Sequence, residues 1–263
     1  MEIRMLPPFR IASFALALLF LPATGKAHYD PMSNHTHLIP NLPAQLYPVS
    51  AVRLLPGPFA DAVLANREYV LAHDADKLLA PFRREAGLTP KKDSYGNWEN
   101  IGLDGHTAGH YLSALSSLIA TGQDTADGEL KRRLEYMVSE LAECQVAAKD
   151  GYVGGVPGSK ALWAEIATGK VEVINRKWVP WYNIHKTYAG LRDAYLLTGN
   201  QQAKTVLVGM TDWAANLAAK LSDDQLQRML AQEHGGINES FADVYAITGD
   251  KKYLALAQRF NHL

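Results

Sequence analysis

Three short stretches punctuate this chain in the same way. Ala120-Thr121-Gly122-Gln123-Asp124, Leu197-Thr198-Gly199-Asn200 and Ile247-Thr248-Gly249-Asp250 each close an apolar segment of helical period. A glycine just past the last helical turn can take the left-handed conformation that other residues avoid. The Asp or Asn that follows carries a short acceptor suited to capping the next helix. Each stretch is therefore predicted to be the corner of an antiparallel helical hairpin. No stretch alternates with a two-residue period over a strand's length. The chain is predicted to be all-α, with hairpins stacked in an array or toroid rather than a four-helix bundle.

The apolar spacing between the corners agrees. Phe59 to Leu71 reads as a first helix, and Asp76 to Phe82 as a short second one. Leu112 to Ile119, Leu130 to Leu141, Tyr188 to Leu196 and Val206 to Leu217 follow at three- and four-residue intervals. Three long connections, 91–105, 150–159 and 171–183, hold many of the Gly, Trp, Tyr and Asn residues. Tight corners at one end and polar-aromatic loops at the other predict one plain face and one functional face. Residues 251–263 form a capped amphipathic helix still in full period, with nothing after it to cover its apolar side. The sequence reads as part of a longer protein, an array incomplete at its C-terminus.

The N-terminus is organised differently. Arg4 and Arg10 precede an apolar run from Ile11 to Leu21, and small residues lead to Ala27. That run is shorter than the about 20 residues that span a bilayer. Residues 1–27 are predicted to be a signal peptide cut after Ala27, giving a periplasmic or secreted protein with no membrane attachment. Residues 28–52 read as an extended lead-in, and 53–263 as the domain proper. Asn34-His35-Thr36 and Asn238-Glu239-Ser240 match the glycosylation triplet, which matters only in a glycosylating host. A net charge of −1 provides no basic excess to attract nucleic acid. Cys144 is the lone cysteine, which excludes an internal disulfide, and its helical setting predicts a small core residue.

Four clusters carry chemistry-bearing side chains. Tyr95-Gly96-Asn97-Trp98-Glu99-Asn100 is a polar-aromatic loop. In Asp104 to Tyr111, His106 and His110 are four residues apart at a helix start, on one face. They read as substrate hydrogen-bonders, as half of a metal site, or as structural histidines. A glutamate after the first histidine, usual in metalloproteases, is missing, and no third ligand is evident. In Trp178 to Lys186, Asn183 is predicted to cap a helix, with Trp181 and Tyr182 at its mouth and His185 on its first turn. Those aromatic faces suit sugar C–H patches or, equally, a core plug. Finally, Glu233 to Ser240 packs two carboxylates, an imidazole and an amide around Gly235-Gly236. Glu233 and Glu239 could be a glycosidase carboxylate pair, whose separation would set the stereochemistry. The segment also reads as a helix-start turn presenting Asn238 and Glu239 to sugar hydroxyls. No nucleophile-elbow serine, phosphate loop or dinucleotide fingerprint is present.

These motifs, in this order, resemble the β-L-arabinofuranosidase-type glycoside hydrolases of families 127 and 146. The resemblance runs through residues 76–88, Gly105 to Ala114, Leu141 to Gln145, Pro180 to Lys186 and Glu233 to Glu239. It implies an (α/α)6 toroid with a sugar site at its mouth and retaining hydrolysis of terminal arabinofuranosides. It also implies a zinc-bound cysteine nucleophile and a glutamate acid/base. The Glu-Ser-Cys or Glu-Thr-Cys motif and cysteine cluster that carry those roles have no match here; Cys144 falls in the family's Glu-Cys-Gln helix. The expectation is therefore a chain without catalytic residues or zinc ligands, inactive alone, that binds an arabinose-containing oligosaccharide or glycan. Its expected binding residues are His106, His110, Trp181, His185, Asn238 and Glu239. The rival readings are a non-catalytic helical carbohydrate-binding protein and a different (α/α)6 enzyme, a lyase or epimerase using His and Tyr as acid and base.

Overall fold

The computed structural model describes residues 47–233 and 236–263. The signal-peptide reading of 1–27 and most of the lead-in lie outside the described residues, as do His234 and Gly235. Ten α-helices follow in order: α1 (Pro58–Ala72), α2 (Ala75–Glu85), α3 (His106–Ala120), α4 (Glu129–Ala148) and α5 (Ser159–Ile166). They continue with α6 (Pro180–Thr198), α7 (Gln201–Ala218), α8 (Asp223–Gln232), α9 (Ile237–Thr248) and α10 (Lys251–Arg259). The described residues contain no strand, and none of their helices is long and apolar enough to cross a membrane.

The three corners have the expected geometry. Gly122, Gly199 and Gly249 all have positive φ, +78°, +75° and +75°. Asn200 Oδ1 accepts from the Ala203 N–H at 2.9 Å, and Asp250 Oδ1 from the Lys252 N–H at 3.0 Å. The first corner differs, because α4 starts only at Glu129. Asp124 nevertheless reaches forward and accepts from the Leu130 and Lys131 N–H groups at 3.0 and 3.3 Å. The short helices α5 and α8 were not expected. Helix α8 is set by a reciprocal cap, in which Ser222 Oγ accepts from the Gln225 N–H and Gln225 Oε1 from the Ser222 N–H.

Helices α3, α6 and α9 lie side by side, and each is followed across its corner by an antiparallel partner, α4, α7 and α10. The first three run parallel, so their N-termini gather at one end. Of all the helix pairs, α3 and α6 make the most extensive contact. Two glycines allow it. A Cβ on Gly109 would sit 2.2 Å from the Lys186 carbonyl, and one on Gly190 would sit 2.5 Å from the Gly109 oxygen. Leu112, Leu115, Ile184 and Leu191 are fully buried around this seam. A second core layer is aromatic: Trp163, Trp181 and Trp213 pack with Phe260, Phe241 and Tyr188.

A buried ion cluster fastens α2 and the following loop to α4. Glu140 accepts from Arg83 Nη1 and from Lys91 Nζ, each at 2.7 Å, and Arg83 also reaches Glu143 at 2.8 Å. Cys144, one turn further along α4, is buried in the core as expected. Burial pushes its thiol up to about 12.

Candidate functional site

The site lies where the N-termini of α3, α6 and α9 meet, and close packing of α3 on α6 decides what it contains. His106 and His110 are on the first two turns of α3, with ring centroids 6.0 Å apart and edge-on. Across the seam, Lys186 lies close enough to perturb His106, His110 and His185 electrostatically. Asn183 stitches the two helices together by donating from Nδ2 to the Asp104 carbonyl at 3.0 Å. His106 and His110 thus stand together, while His185, on the facing helix, is near enough to feel His110 electrostatically and borders Gly236 at the start of α9. Among the described residues, no group hydrogen-bonds the ring of His110 or of His185.

The three imidazoles are not equivalent. His106 is held from behind: its Nδ1 is 2.8 Å from the Leu103 carbonyl and 3.0 Å from Glu99 Oε1. The hydrogen bond to Glu99 raises its pKa against the effect of burial, with the Leu103 carbonyl adding to the rise. Partial burial lowers His110, and the charges of Lys186 and His106 lower it further. Burial pushes His185 down to about 4, with Lys186 acting in the same direction. One imidazole therefore favours its proton, and two favour neutrality.

Glu99 itself sits in a short 3-10 turn, Asn97–Glu99, that faces two ways. Its carboxylate is 5% exposed and accepts from the Gly105 N–H at 2.7 Å and the Thr107 N–H at 3.1 Å. Burial alone would raise its pKa, but bonds from His106, Thr107 and Gly105 bring it below the ordinary value. Trp98, the neighbouring residue, is 58% exposed and turns its ring to within 5.8 Å of the His106 ring. Asn97 has φ +57° and Val179 φ +39°, so two of the three described non-glycine residues with positive φ flank this end.

Several expected residues are placed elsewhere. Trp181 is only 1% exposed and packs 4.7 Å from Trp163 and 5.1 Å from Phe260, its Nε1 donating to Met229 Sδ. The reason is register: α6 starts at Pro180, one residue earlier than Trp181, which turns that indole into the core. Tyr182 is the ring that stays exposed, with Lys186 Nζ 4.3 Å from its centre. Asn183 is inside the helix, so it cannot be the cap. That work falls to Glu233, whose Oε1 accepts from the Tyr182 N–H at 2.8 Å. Burial raises Glu233 to about 7 despite the Tyr182 and Trp181 N–H groups, and its Oε2 has no partner among the described residues. Through Oε1 this glutamate caps a helix from across the site.

Asn238 spends its amide on Asn261 at 2.9 Å and on the Glu239 N–H at 3.1 Å. It does not join the histidines. Glu239 borders them, near enough to His185 to oppose the lowering of its pKa, but its carboxylate is paired with Arg192 at 2.8 Å. Sequence reasoning missed Glu99 and Lys186. The Tyr95 to Asn100 loop stood out by composition, yet only the folded chain shows which imidazole its carboxylate meets.

A metal does not fit these residues. Among the described residues, no three His, Cys, Asp or Glu side chains are grouped to hold an ion. Nδ1 of His106 is already committed to Leu103 and Glu99, and the Cys144 thiol is buried away from the site. One cavity of about 380 Å3 borders the site, lined by Trp98 and Glu99 together with His73, Tyr95 and Thr107. A larger one, about 810 Å3, lies between α5 and α7.

Comparison with known proteins adds three findings. A family model described as the GH127 catalytic domain of β-L-arabinofuranosidase matches residues 51–263. Among solved structures the chain is similar to Ara127N-Se, described as a GH127 β-L-arabinofuranosidase from Geobacillus stearothermophilus T6. The likeness has 18% identity and a TM-score of 0.51, over 81% of this chain and 30% of that one. At that identity it shows the fold, an all-α array of the (α/α)6 type. The chain spans under a third of that protein's length. A search of the curated proteins gave no match.

Proposed function

The chain belongs to the family of GH127 β-L-arabinofuranosidase catalytic domains, and on that premise we propose that it supplies the sugar-binding part of an exported hydrolase acting on plant-type arabinosides. The observation that carries this reading is the meeting of His106, His110 and His185 at the end where three parallel helices begin. The ring nitrogens left without a protein partner at this end, those of the exposed His110 among them, suit the hydroxyls and ring oxygen of a furanose, and the exposed faces of Trp98 and Tyr182 suit its C–H edges. Helix N-termini add N–H dipoles on the same side. Export rests on the order of charged, apolar and small residues in 1–27.

The same reading gives this chain no bond-breaking step of its own. Zinc and a cysteine nucleophile are implied for the family, and the donor set here does not fit them. Glu233 caps a helix and Glu239 is paired with Arg192. The purified 263-residue protein is therefore expected to bind an arabinofuranosyl oligosaccharide in equilibrium dialysis and to leave an aryl arabinofuranoside intact. Substituting both His106 and His185 by alanine is expected to abolish the binding. Turnover of the aryl arabinofuranoside, lost in Glu239→Ala, would overturn the division of labour proposed here.

A further inference from the structure

We propose that Glu99 is the positioning residue of this site: it fixes His106 with Nδ1 turned into the protein, so that Nε2 is the nitrogen offered to a ligand. The ligand part of this inference rests on the arabinofuranoside reading above. The geometry of the pair does not.

Both groups near His106 Nδ1, the Leu103 carbonyl at 2.8 Å and the Glu99 carboxylate at 3.0 Å, only accept hydrogen bonds. Nδ1 must therefore carry a hydrogen, whichever charge state the ring is in. Nε2 is left without a partner among the described residues. In the neutral ring Nε2 is an acceptor; in the cation it is a donor, and the ionised Glu99 favours the cation. The carboxylate is held in place by the Gly105 and Thr107 N–H groups, which are the first free donors of α3. The ring thus cannot flip without breaking two bonds that depend on the helix start itself.

The charges around His106 sharpen its role. Glu99 faces it from the 3-10 turn, His110 from its own helix and Lys186 from α6. Asp104 lies beside Glu99 and is paired with Arg84 of α2 at 3.5 Å. Burial, with the charge of Lys186 acting in the same direction, pushes His110 and His185 toward neutrality. Glu99 is the group that exempts His106. A sugar bound here would meet one charge-assisted donor and two neutral rings, so its orientation is defined by hydrogen-bond polarity.

The sign of the pH dependence follows. His106 is raised, so its Nε2 donor is present below the folded value and lost as pH rises through it. Ligand affinity falls with it. Imidazole nitrogen shifts of His106 can be followed across pH in the wild-type protein, Glu99→Gln and Glu99→Asp, with and without methyl β-L-arabinofuranoside. The expected result is an Nδ1–H ring in the wild type that titrates above ordinary imidazole. Its midpoint should drop in Glu99→Gln and be largely kept in Glu99→Asp. Sugar affinity should weaken roughly tenfold in Glu99→Gln, as for loss of a hydrogen bond to a charged group, and lose its pH dependence. An unmoved midpoint in a folded Glu99→Gln would overturn the proposal. If that variant fails to fold, a wild-type His106 midpoint at or below the ordinary value overturns it. If the midpoint moves but the sugar perturbs no imidazole in any of the proteins, Glu99 keeps its role and the arabinofuranoside reading falls.

Discussion

Glu140 and Cys144 sit one turn apart on α4 and show how differently two buried side chains behave. Glu140 answers two cations, Arg83 and Lys91, and Arg83 is itself only 10% exposed. Removing the acid leaves a buried guanidinium with less compensation. Glu140→Ala is expected to cost about 3–5 kcal/mol of stability, measurable by denaturant unfolding; a loss below about 1 kcal/mol would show the cluster to be solvent-screened. Cys144 has no charge to satisfy. With its thiol raised to about 12, it should resist alkylation at pH 8 in the native protein and react fully on unfolding. Fast labelling of the folded protein would contradict this. The core position of Cys144 was legible because its neighbours repeat at helical spacing. The Glu99–His106 pair was not, because six residues of irregular loop separate the two and only tertiary structure closes the distance.

At the scale of the element, α6 supplies Tyr182, His185 and Lys186 to the site, and two titratable groups tune its first turns. His185 folds with a value of about 4 against 6.5, so the stability tied to its neutral form is complete above 6.5 and lost as pH falls toward 4. Glu233 has the opposite sign. Its value of about 7 against 4.5 means that its contribution is complete below 4.5 and lost as pH rises toward 7. Each displacement corresponds to something on the order of 3 kcal/mol, so the two slopes oppose each other between about pH 4.5 and 6.5. Glu233→Gln keeps an acceptor for the Tyr182 N–H and cannot ionise. It is expected to gain stability relative to the wild type at pH 8 but not at pH 4.5; equal differences at both pH values would contradict the assignment. The seam makes a sharper demand. Gly109→Ala places a methyl group against the backbone of Lys186, and overpacking of this kind costs about 1–3 kcal/mol or more. It should also disturb the imidazole signals of His106 and His185. A neutral effect on unfolding would mean that α3 and α6 do not approach as closely as described. The sequence showed the corners and periods of these helices. It did not show the registers, and a difference of a few residues at the start of α6 turned Trp181 inward and passed the capping role from Asn183 to Glu233.

At the scale of the molecule, the hairpin order places the starts of α3, α6 and α9 at one end. The fold class was legible because each corner is a local device, a glycine and a cap that need nothing distant. The site was legible only as a set of motifs, since its selection depends on which helices pack in parallel and how deeply. Among the described residues, several apolar side chains are left exposed. Phe59, Leu64 and Tyr69 on α1 are exposed, with Leu54 and Leu55 just before them. Such surface favours association, and sedimentation should show self-association that weakens in a Phe59→Ser, Leu64→Ser variant; a monodisperse monomer at all concentrations would contradict it.

The central claim is that one end of the α3–α6–α9 layer is a furanose site built on three unlike histidines. Titrating methyl β-L-arabinofuranoside into the wild-type protein while following all histidine and tryptophan side-chain signals tests it most directly. The predicted result is saturable movement of His106, His110, His185 and Trp98, with the buried Trp181 unmoved. Saturable movement confined to the groove between α5 and α7, or no movement at any histidine, would contradict it.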